Sequence, residues 1–382
     1  MKIILIGNYI PDGQESMERF AKMLEMGFND SGIETEFWRP QSFFGENFKS
    51  TKHGLGKWFG YIDKWVLFPL KLKWKLAKKE YRSKDIHFHI CDHSNSFYLS
   101  QLPIDRTVIT CHDVLAIRGG LGYKDSYCES TGMGTILQKK ILKYLSRAKY
   151  LAAVSNFTLN QLKEICYKHI DSSDKHWTVI YNSFNAPFTE IDKNTRQNLL
   201  INAGLNPKVP FIFHIGSNLK RKNRKLLIDM LVELGDCWHG NVYFAGQPLE
   251  ESLSSYANDL GLGDRIVSIT KPNHSLLTGL YSSCEAFIFP SYSEGFGWPL
   301  IEAQACGAPV IASDIEPMPE VSNNSAIHAD PNNPQEFALA FKSLRNENIK
   351  NTIIKNGFEN IKRFEFKKII NSYIDLHNIA SY

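Results

Sequence analysis

Paired cysteines are missing from this 382-residue chain: its seven stand singly at 91, 111, 128, 166, 237, 284 and 306, with no Cys-x-x-Cys anywhere. That argues against a zinc knuckle or a disulfide framework and points to a reducing cytosol. No apolar run approaches the roughly 18 residues of a membrane-spanning helix. The opening Met1-Lys2-Ile3-Ile4-Leu5-Ile6-Gly7 turns polar too soon for a secretory leader. Gly-x-Gly-x-x-Gly is absent as well, so the dinucleotide fingerprint is missing. What remains is a soluble globular composition, 43% apolar, on a chain too long for one ordinary core. Two domains are therefore expected.

The most informative stretch is 287–321. Phe287 to Phe289 reads as the end of a buried strand, and Ser291 to Gly297 as a polar, glycine-bearing loop. Pro299 suits the first position of a helix, where its missing N–H leaves nothing unpaired. Leu300 to Cys306 continues that helix, Gly307 is placed to stop it, and Pro309 to Ala312 is the next strand. A loop that opens onto a helix N-terminus offers amides and a positive dipole end to an anion. Glu294 in the loop and Glu302 one turn into the helix bracket that place. Carboxylates repel phosphate but accept hydrogen bonds from sugar hydroxyls. Amides and carboxylates together describe a site for a nucleotide sugar. Taken singly, each glutamate reads better as a turn residue or a solvent-facing helix residue. The joint pattern Glu-Gly-Phe-Gly-x-Pro-x-x-Glu-Ala, followed by Cys-Gly-x-Pro-Val-Ile-Ala-Ser, carries the reading.

That pattern resembles the Glu-x7-Glu motif of retaining glycosyltransferases of the GT-B fold, specifically glycosyltransferase family 4. The resemblance implies an α/β chain of two Rossmann-like domains facing a cleft, with the donor on the second. Glu302 is expected to bind the donor's ribose and Glu294 the sugar-ring hydroxyls. Gly295, Phe296, Gly297, Trp298, Leu300 and Ile301 are expected to line the donor. Trp298 departs from the family's small aliphatic residue, which bears on the identity of the donor. Asp-x-Asp, which a metal-dependent transferase of the other common fold would need, does not occur. Arg221, Lys222 and the helix N-terminus at Trp298 to Ile301 can stabilise a leaving diphosphate instead. No metal and no other cofactor is expected.

The first half opens as a Rossmann-like unit: a strand at Lys2 to Ile6, a turn at Asp12-Gly13, a helix capped by Ser16, and a strand at Ile33 to Trp38. The family carries a glycine-rich loop near the donor or acceptor here. Gly13 is either a thin version of it or an ordinary turn. Further strands are expected at 85–90, 107–110 and 151–154. His112 follows the second of these, at a strand's carboxyl end, where open α/β sheets place ligand contacts. Thr-Cys-His-Asp matches the family's histidine that bonds a donor-sugar hydroxyl, whereas His89 and His93 read as structural. Ser155 caps a helix. Asn182, within Tyr-Asn-Ser, resembles the family's step into an interdomain linker, expected to be irregular from 183 to about 205.

The second half repeats the pattern. A strand at 210–215 ends at Gly216-Ser217, and five of the six residues 220–225 are basic. A basic helix start opposes the dipole, so a bound anion explains it better. The resemblance implies that Arg221 and Lys222 neutralise the donor's diphosphate. Strands at 241–245, 265–269 and 286–289 alternate with helices, the signature of a parallel sheet. The expected domains are 1–190, with a returning helix at about 366–382, and 191–365.

Residues 49–84 stand apart. Eleven Lys or Arg face two acids, a net of +9 in a chain of +4, interleaved with Trp58, Phe59, Tyr61, Trp65, Phe68, Trp74 and Tyr81. A solvated helix with inward aromatics competes with a surface for anionic lipid. Nothing else suggests nucleic acid. The expected function is transfer of a hexosyl unit from a UDP- or GDP-sugar to a glycan or lipid-linked acceptor with retention. It would occur in the cytoplasm, at the inner face of the cytoplasmic membrane if the basic stretch binds lipid. An epimerase or phosphorylase on the same fold, or a non-catalytic sugar-nucleotide binder, is the alternative.

Overall fold

The computed structural model describes residues 1–44, 54–166 and 174–380; Lys49 to His53 of the basic stretch and Ser381 and Tyr382 lie outside the described residues. The chain divides into two compact units. One holds residues 1–123, 128–185 and 366–382; the other holds 124–127 and 186–365.

The first unit is a parallel six-stranded sheet. Its elements run β1 (Lys2–Ile6), α1 (Glu15–Asp30), β2 (Glu34–Trp38), α2 (Gly54–Ile62), a π-helical turn (Asp63–Leu67), α3 (Phe68–Ala77) and β3 (Ile86–Ile90). Next come β4 (Thr107–Cys111), α4 (Leu115–Gly120), α5 (Gly132–Leu145), β5 (Tyr150–Ala153), α6 (Asn156–Cys166) and β6 (His176–Val179). Strand order is β2-β1-β3-β4-β5-β6, so the winding reverses between β1 and β3. β1, β3, β4 and β5 are buried along nearly their whole length because helices cover both sheet faces, although His87, His89, Thr107 and Thr110 are polar. Ser155 does cap α6, accepting from the Thr158 amide at 3.0 Å. Ser16 does not cap α1, which starts one residue earlier, after Gln14.

In the second unit, α7 (Lys193–Asn202) precedes β7 (Phe211–Gly216), α8 (Lys225–Leu234), β8 (Asn241–Gly246), α9 (Glu251–Asp259), β9 (Ile266–Thr270), α10 (His274–Ser283) and β10 (Ala286–Phe289). Then follow α11 (Trp298–Ala305), β11 (Val310–Ser313), α12 (Met318–Ser322), β12 (Ile327–Ala329), α13 (Pro334–Ser343) and α14 (Glu347–Asn360). Order β12-β11-β10-β7-β8-β9 is the doubly wound arrangement, reversing between β7 and β10. α7 stands where an irregular linker was expected. Asp192 caps it through the amides of Asn194 and Thr195, both at 3.0 Å.

The chain then returns to the first unit as α15 (Phe366–Ile379). Ile369, Ile370, Tyr373, Leu376 and His377 are buried there. Gly27 of α1 permits the approach: a Cβ at that position would sit 2.3 Å from Ile370. Among the described residues, no helix is long and apolar enough to cross a membrane.

Candidate active site

The second unit places its charged groups where the winding reverses. β7 and β10 are paired neighbours, so the loops after them emerge side by side at the sheet's carboxyl edge. After Gly216 and Ser217 the chain makes a 3₁₀ turn, Lys220–Lys222, closed by Asn223 in left-handed backbone at φ 52°. The Asn223 side-chain amide donates to the carbonyls of Pro290 (3.2 Å) and Pro331 (2.7 Å), which ties this turn to the loops after β10 and β12. Lys220, Arg221 and Lys222 therefore precede α8 rather than fill its first turn, which lessens the clash with the dipole that the sequence suggested.

Three charges meet at Glu294. Lys222 Nζ donates to its Oε1 at 2.5 Å and Arg221 Nη1 to its Oε2 at 2.6 Å; Arg221 also reaches the Ser293 carbonyl at 2.9 Å. Glu294 and Lys222 are buried, 7% and 9% exposed. Burial alone would raise the Glu294 carboxyl, but Lys222 and Arg221 outweigh it and hold the carboxyl at about 2. Desolvation draws the Lys222 ammonium down, opposed by Glu294. Each is the other's hydrogen-bonded counterion, which favours the charged form of both against burial.

α11 starts on Gly297, whose φ of 97° suits glycine and whose Cβ would meet the Phe289 ring at 3.3 Å. Trp298 is the first helical residue and Pro299 the second, one place later than the sequence suggested. Glu302 is buried, not solvent-facing, and accepts from the buried Tyr281 hydroxyl of α10 at 3.0 Å. Burial and the adjacent carboxylate push the Tyr281 hydroxyl well above its ordinary range, so it stays a donor. Leu300 and Ile301 are fully buried, so their side chains belong to the core. The Leu300 amide already donates to the Gly297 carbonyl at 3.0 Å. Phe296 is buried with its ring edge-on to Phe364, and Trp298 and Gly295 are partly exposed.

Two residues here escaped the sequence reading. Tyr281 is one. His214 of β7 is the other: its Nδ1–H donates to the Ile288 carbonyl at 3.0 Å, while Nε2 has no hydrogen-bond partner among the described residues. A Cβ on Gly216 would lie 3.1 Å from that nitrogen and 3.5 Å from the Lys222 stem, so His214 stands beside the cationic loop. Burial holds the imidazole neutral, down to about 3. A lone histidine inside Phe-Ile-Phe-His-Ile-Gly was the available signal.

The first unit has its own polar cluster at its reversal point. His112 follows β4 and is buried. Its Nε2–H donates to the Cys91 carbonyl at 2.9 Å, and Phe20 meets its ring at 4.5 Å. Burial lowers its basicity, with Asp92 opposing. The residues not anticipated are Asn8 after β1 and Asp92 after β3. Asn8 Nδ2 donates to Asp92 Oδ2 at 2.6 Å, and Asn95 Nδ2 to Asn8 Oδ1 at 2.9 Å. Burial pushes the Asp92 carboxyl up, but His93, His112 and the bonds from Ser94 and Asn8 hold it below its ordinary range. Asn182 is buried at 1% exposure, and neither atom of its side-chain amide is bonded among the described residues. Gly13 is exposed and caps the 3₁₀ turn Ile10–Asp12 with φ 61°, the geometry of a turn. His89 and His93 are buried; His89 Nδ1 is 3.0 Å from His377 Nε2 of α15.

Known proteins resemble this chain in sequence and in fold. Residues 196–360 match the family described as glycosyl transferases group 1. The chain is 26% identical over 260 residues to the O-antigen chain mannosyltransferase RfbU of Salmonella typhimurium, covering 67% of each. Of several other curated mannosyltransferases it spans only 26–31% of their length. Sucrose-phosphate synthase of Thermosynechococcus elongatus superposes with a TM-score of 0.74 at 17% identity, covering 99% of this chain and 98% of that one. HepE of Anabaena, solved with UDP and glucose, gives 0.69 at 16%, covering 98% of both. Residues 196–360 of the second unit carry the glycosyl transferases group 1 domain, and the chain has the two-sheet GT-B fold of these solved structures.

Proposed function

We propose that this protein transfers a hexosyl unit, mannose by similarity to the O-antigen mannosyltransferases, from a UDP- or GDP-sugar. The acceptor is a glycan or lipid-linked saccharide at the inner face of the cytoplasmic membrane. The chemistry is the retaining, metal-independent transfer of glycosyltransferase family 4. The observation that carries the reading is the clamp of Arg221, Lys222 and Glu294 where the winding reverses, with Glu302 held by Tyr281 in the helix that follows the Glu294 loop. With no donor bound, Glu294 neutralises the two cations. An arriving diphosphate takes them over, and the released carboxylate oxygens turn to sugar hydroxyls. Glu302 holds the ribose, and His112 supplies a bond to the transferred sugar. The bond between the anomeric carbon and the phosphate oxygen breaks through an oxocarbenium-like state. The acceptor oxygen bonds to the same face of that carbon, and its proton passes to the departing phosphate. Configuration is retained, and the cations carry the charge a divalent metal would otherwise neutralise.

The test is a thermal-shift screen of GDP-mannose, UDP-glucose and ADP-glucose, since a ligand stabilises the state it binds. Transfer to a lipid-linked saccharide is then assayed with and without EDTA. One nucleotide sugar should raise Tm, and transfer should survive chelation. Silence toward all three donors, or activity lost to EDTA and restored by Mn²⁺, defeats the reading.

A further inference from the structure

The helical rod formed by α2, the π turn and α3 has two unlike faces. Its inner face is fixed by the core. Phe68 and Leu72 are buried, and Trp65 stacks on Phe97 at 3.8 Å. Buried Asp63 accepts from the Tyr9 hydroxyl at 2.7 Å and from the amides of Phe43 and Phe44 at 3.2 Å. Lys64 pairs with Asp12, and Lys75 pairs with Glu36 while lying over the Trp38 ring. The outer face carries Trp58, Ile62, Val66, Leu70 and Trp74, from 38% to 63% exposed.

Those five residues are spaced by four. In a regular helix each such step overshoots a turn by about 40°, and a stripe of this length would wind away from its own face. The wider turn of the π segment at Asp63–Leu67 takes back part of that drift midway. Pro69 supplies a cause, since it can neither donate to the Trp65 carbonyl nor sit close beneath it. The result is an exposed apolar stripe with a tryptophan at each end.

Lysines border the stripe. Lys57, Lys73, Lys78 and Lys79 are exposed and Lys71 half-buried. Among these, only Lys78 has an acidic partner among the described residues, Glu80 at 3.9 Å. The rod's one acid, Asp63, is turned inward and occupied.

We infer that this stripe is a docking surface for an anionic lipid bilayer, with the rod lying in the headgroup plane, its apolar row inserted and its lysines on the lipid phosphates. This deepens the reading of a lipid-linked acceptor and rests on it for its purpose. Aliphatic side chains in one row, tryptophans at both ends and lysines alongside are the composition an in-plane interfacial helix needs. A second copy of the chain is the weaker occupant: a two-fold contact would bring each lysine border against its like. Lys75, which the sequence alone would count among the lipid contacts, is excluded by its pairing with Glu36.

The experiment uses the full chain with vesicles of phosphatidylcholine alone and of phosphatidylcholine and phosphatidylglycerol in equal parts. Co-sedimentation should occur with the anionic vesicles and fall as salt rises. The variant Trp58→Ser/Leu70→Ser/Trp74→Ser should lose roughly tenfold or more of that binding. The variant Lys71→Glu/Lys73→Glu/Lys78→Glu should lose the preference for anionic lipid. Both should keep the wild-type thermal shift with the donor sugar, which shows that they fold. Equal recovery with both lipids, or binding unchanged by the apolar variant, overturns the inference and leaves the donor-site reading standing. So does a dimer in lipid-free sedimentation velocity that the apolar variant dissolves. A missing donor shift in the wild type fails the catalytic reading instead.

Discussion

Glu294 is the residue on which affinity and turnover are expected to part. Its carboxylate occupies both cations that the proposed diphosphate needs. In Glu294→Gln the shape is kept and the cations are released. Calorimetry should show a nucleoside diphosphate binding severalfold more tightly, while transfer falls about a hundredfold or more for want of the sugar contact. Glu302→Ala should act the other way, leaving the diphosphate clamp intact and weakening donor binding about tenfold, the worth of one charge-assisted hydrogen bond. If both variants bound and turned over donor like the wild type, the carboxylates would have no part in the site. Both glutamates were legible in the sequence because their spacing on either side of a helix start is chemically specific. Tyr281 and His214 were not, because a tyrosine or histidine in an apolar segment reads as core until its partner across the sheet is known.

At the level of elements, strands were the easiest to read, since β1 and β10 are short apolar runs and β3 alternates apolar with polar residues, each bounded by polar turns. α7 was hidden because Lys-Asn-Thr-Arg-Gln-Asn-Leu-Leu-Ile-Asn buries little besides Leu200 and has no apolar period. The aromatics at 49–84 could not be sorted from sequence, because a π turn shifts the phase of every residue beyond it. Trp65, Phe68 and Tyr81 turn inward; Trp58 and Trp74 turn outward. Asp63 sets that phase. Asp63→Ala leaves the Tyr9 hydroxyl and two amides without their acceptor, and should cost about 3 kcal/mol in denaturant unfolding. It should also weaken vesicle binding, because the rod is free to rotate. A stable variant that binds vesicles normally would show that the core alone fixes the rod.

The whole molecule should be sensitive to acid through its buried histidines. His87, His89 and His377 cluster between the first sheet and α15, with Phe28, Thr110 and Tyr373 around them and His112 close enough to act on His89. Burial holds His87 at about 4 and His89 at about 3, and His377 well below 6.5. The unfolded chain takes up these protons near pH 6.5 and the folded one does not, so their contribution is complete above 6.5. It is lost as pH falls from there toward 3. For His89 the loss is about 1.4 kcal/mol per pH unit, and His377 acts in the same direction. Urea midpoints from pH 7 to 5 should fall more steeply in the wild type than in His377→Phe; equal slopes would mean that the cluster does not govern acid stability.

The position of α15 also sets an order of events during synthesis. Its partners, among them Phe20, Phe28, His89 and Thr110, lie in the first 110 residues, yet α15 begins at Phe366. While the ribosome makes the whole second unit, the first sheet waits with an apolar trough on one face. Domains usually finish folding in the order they are made. Here the first to emerge is the last to be sealed, and a nascent chain stalled between the end of the first sheet at Val179 and residue 366 presents that trough to chaperones.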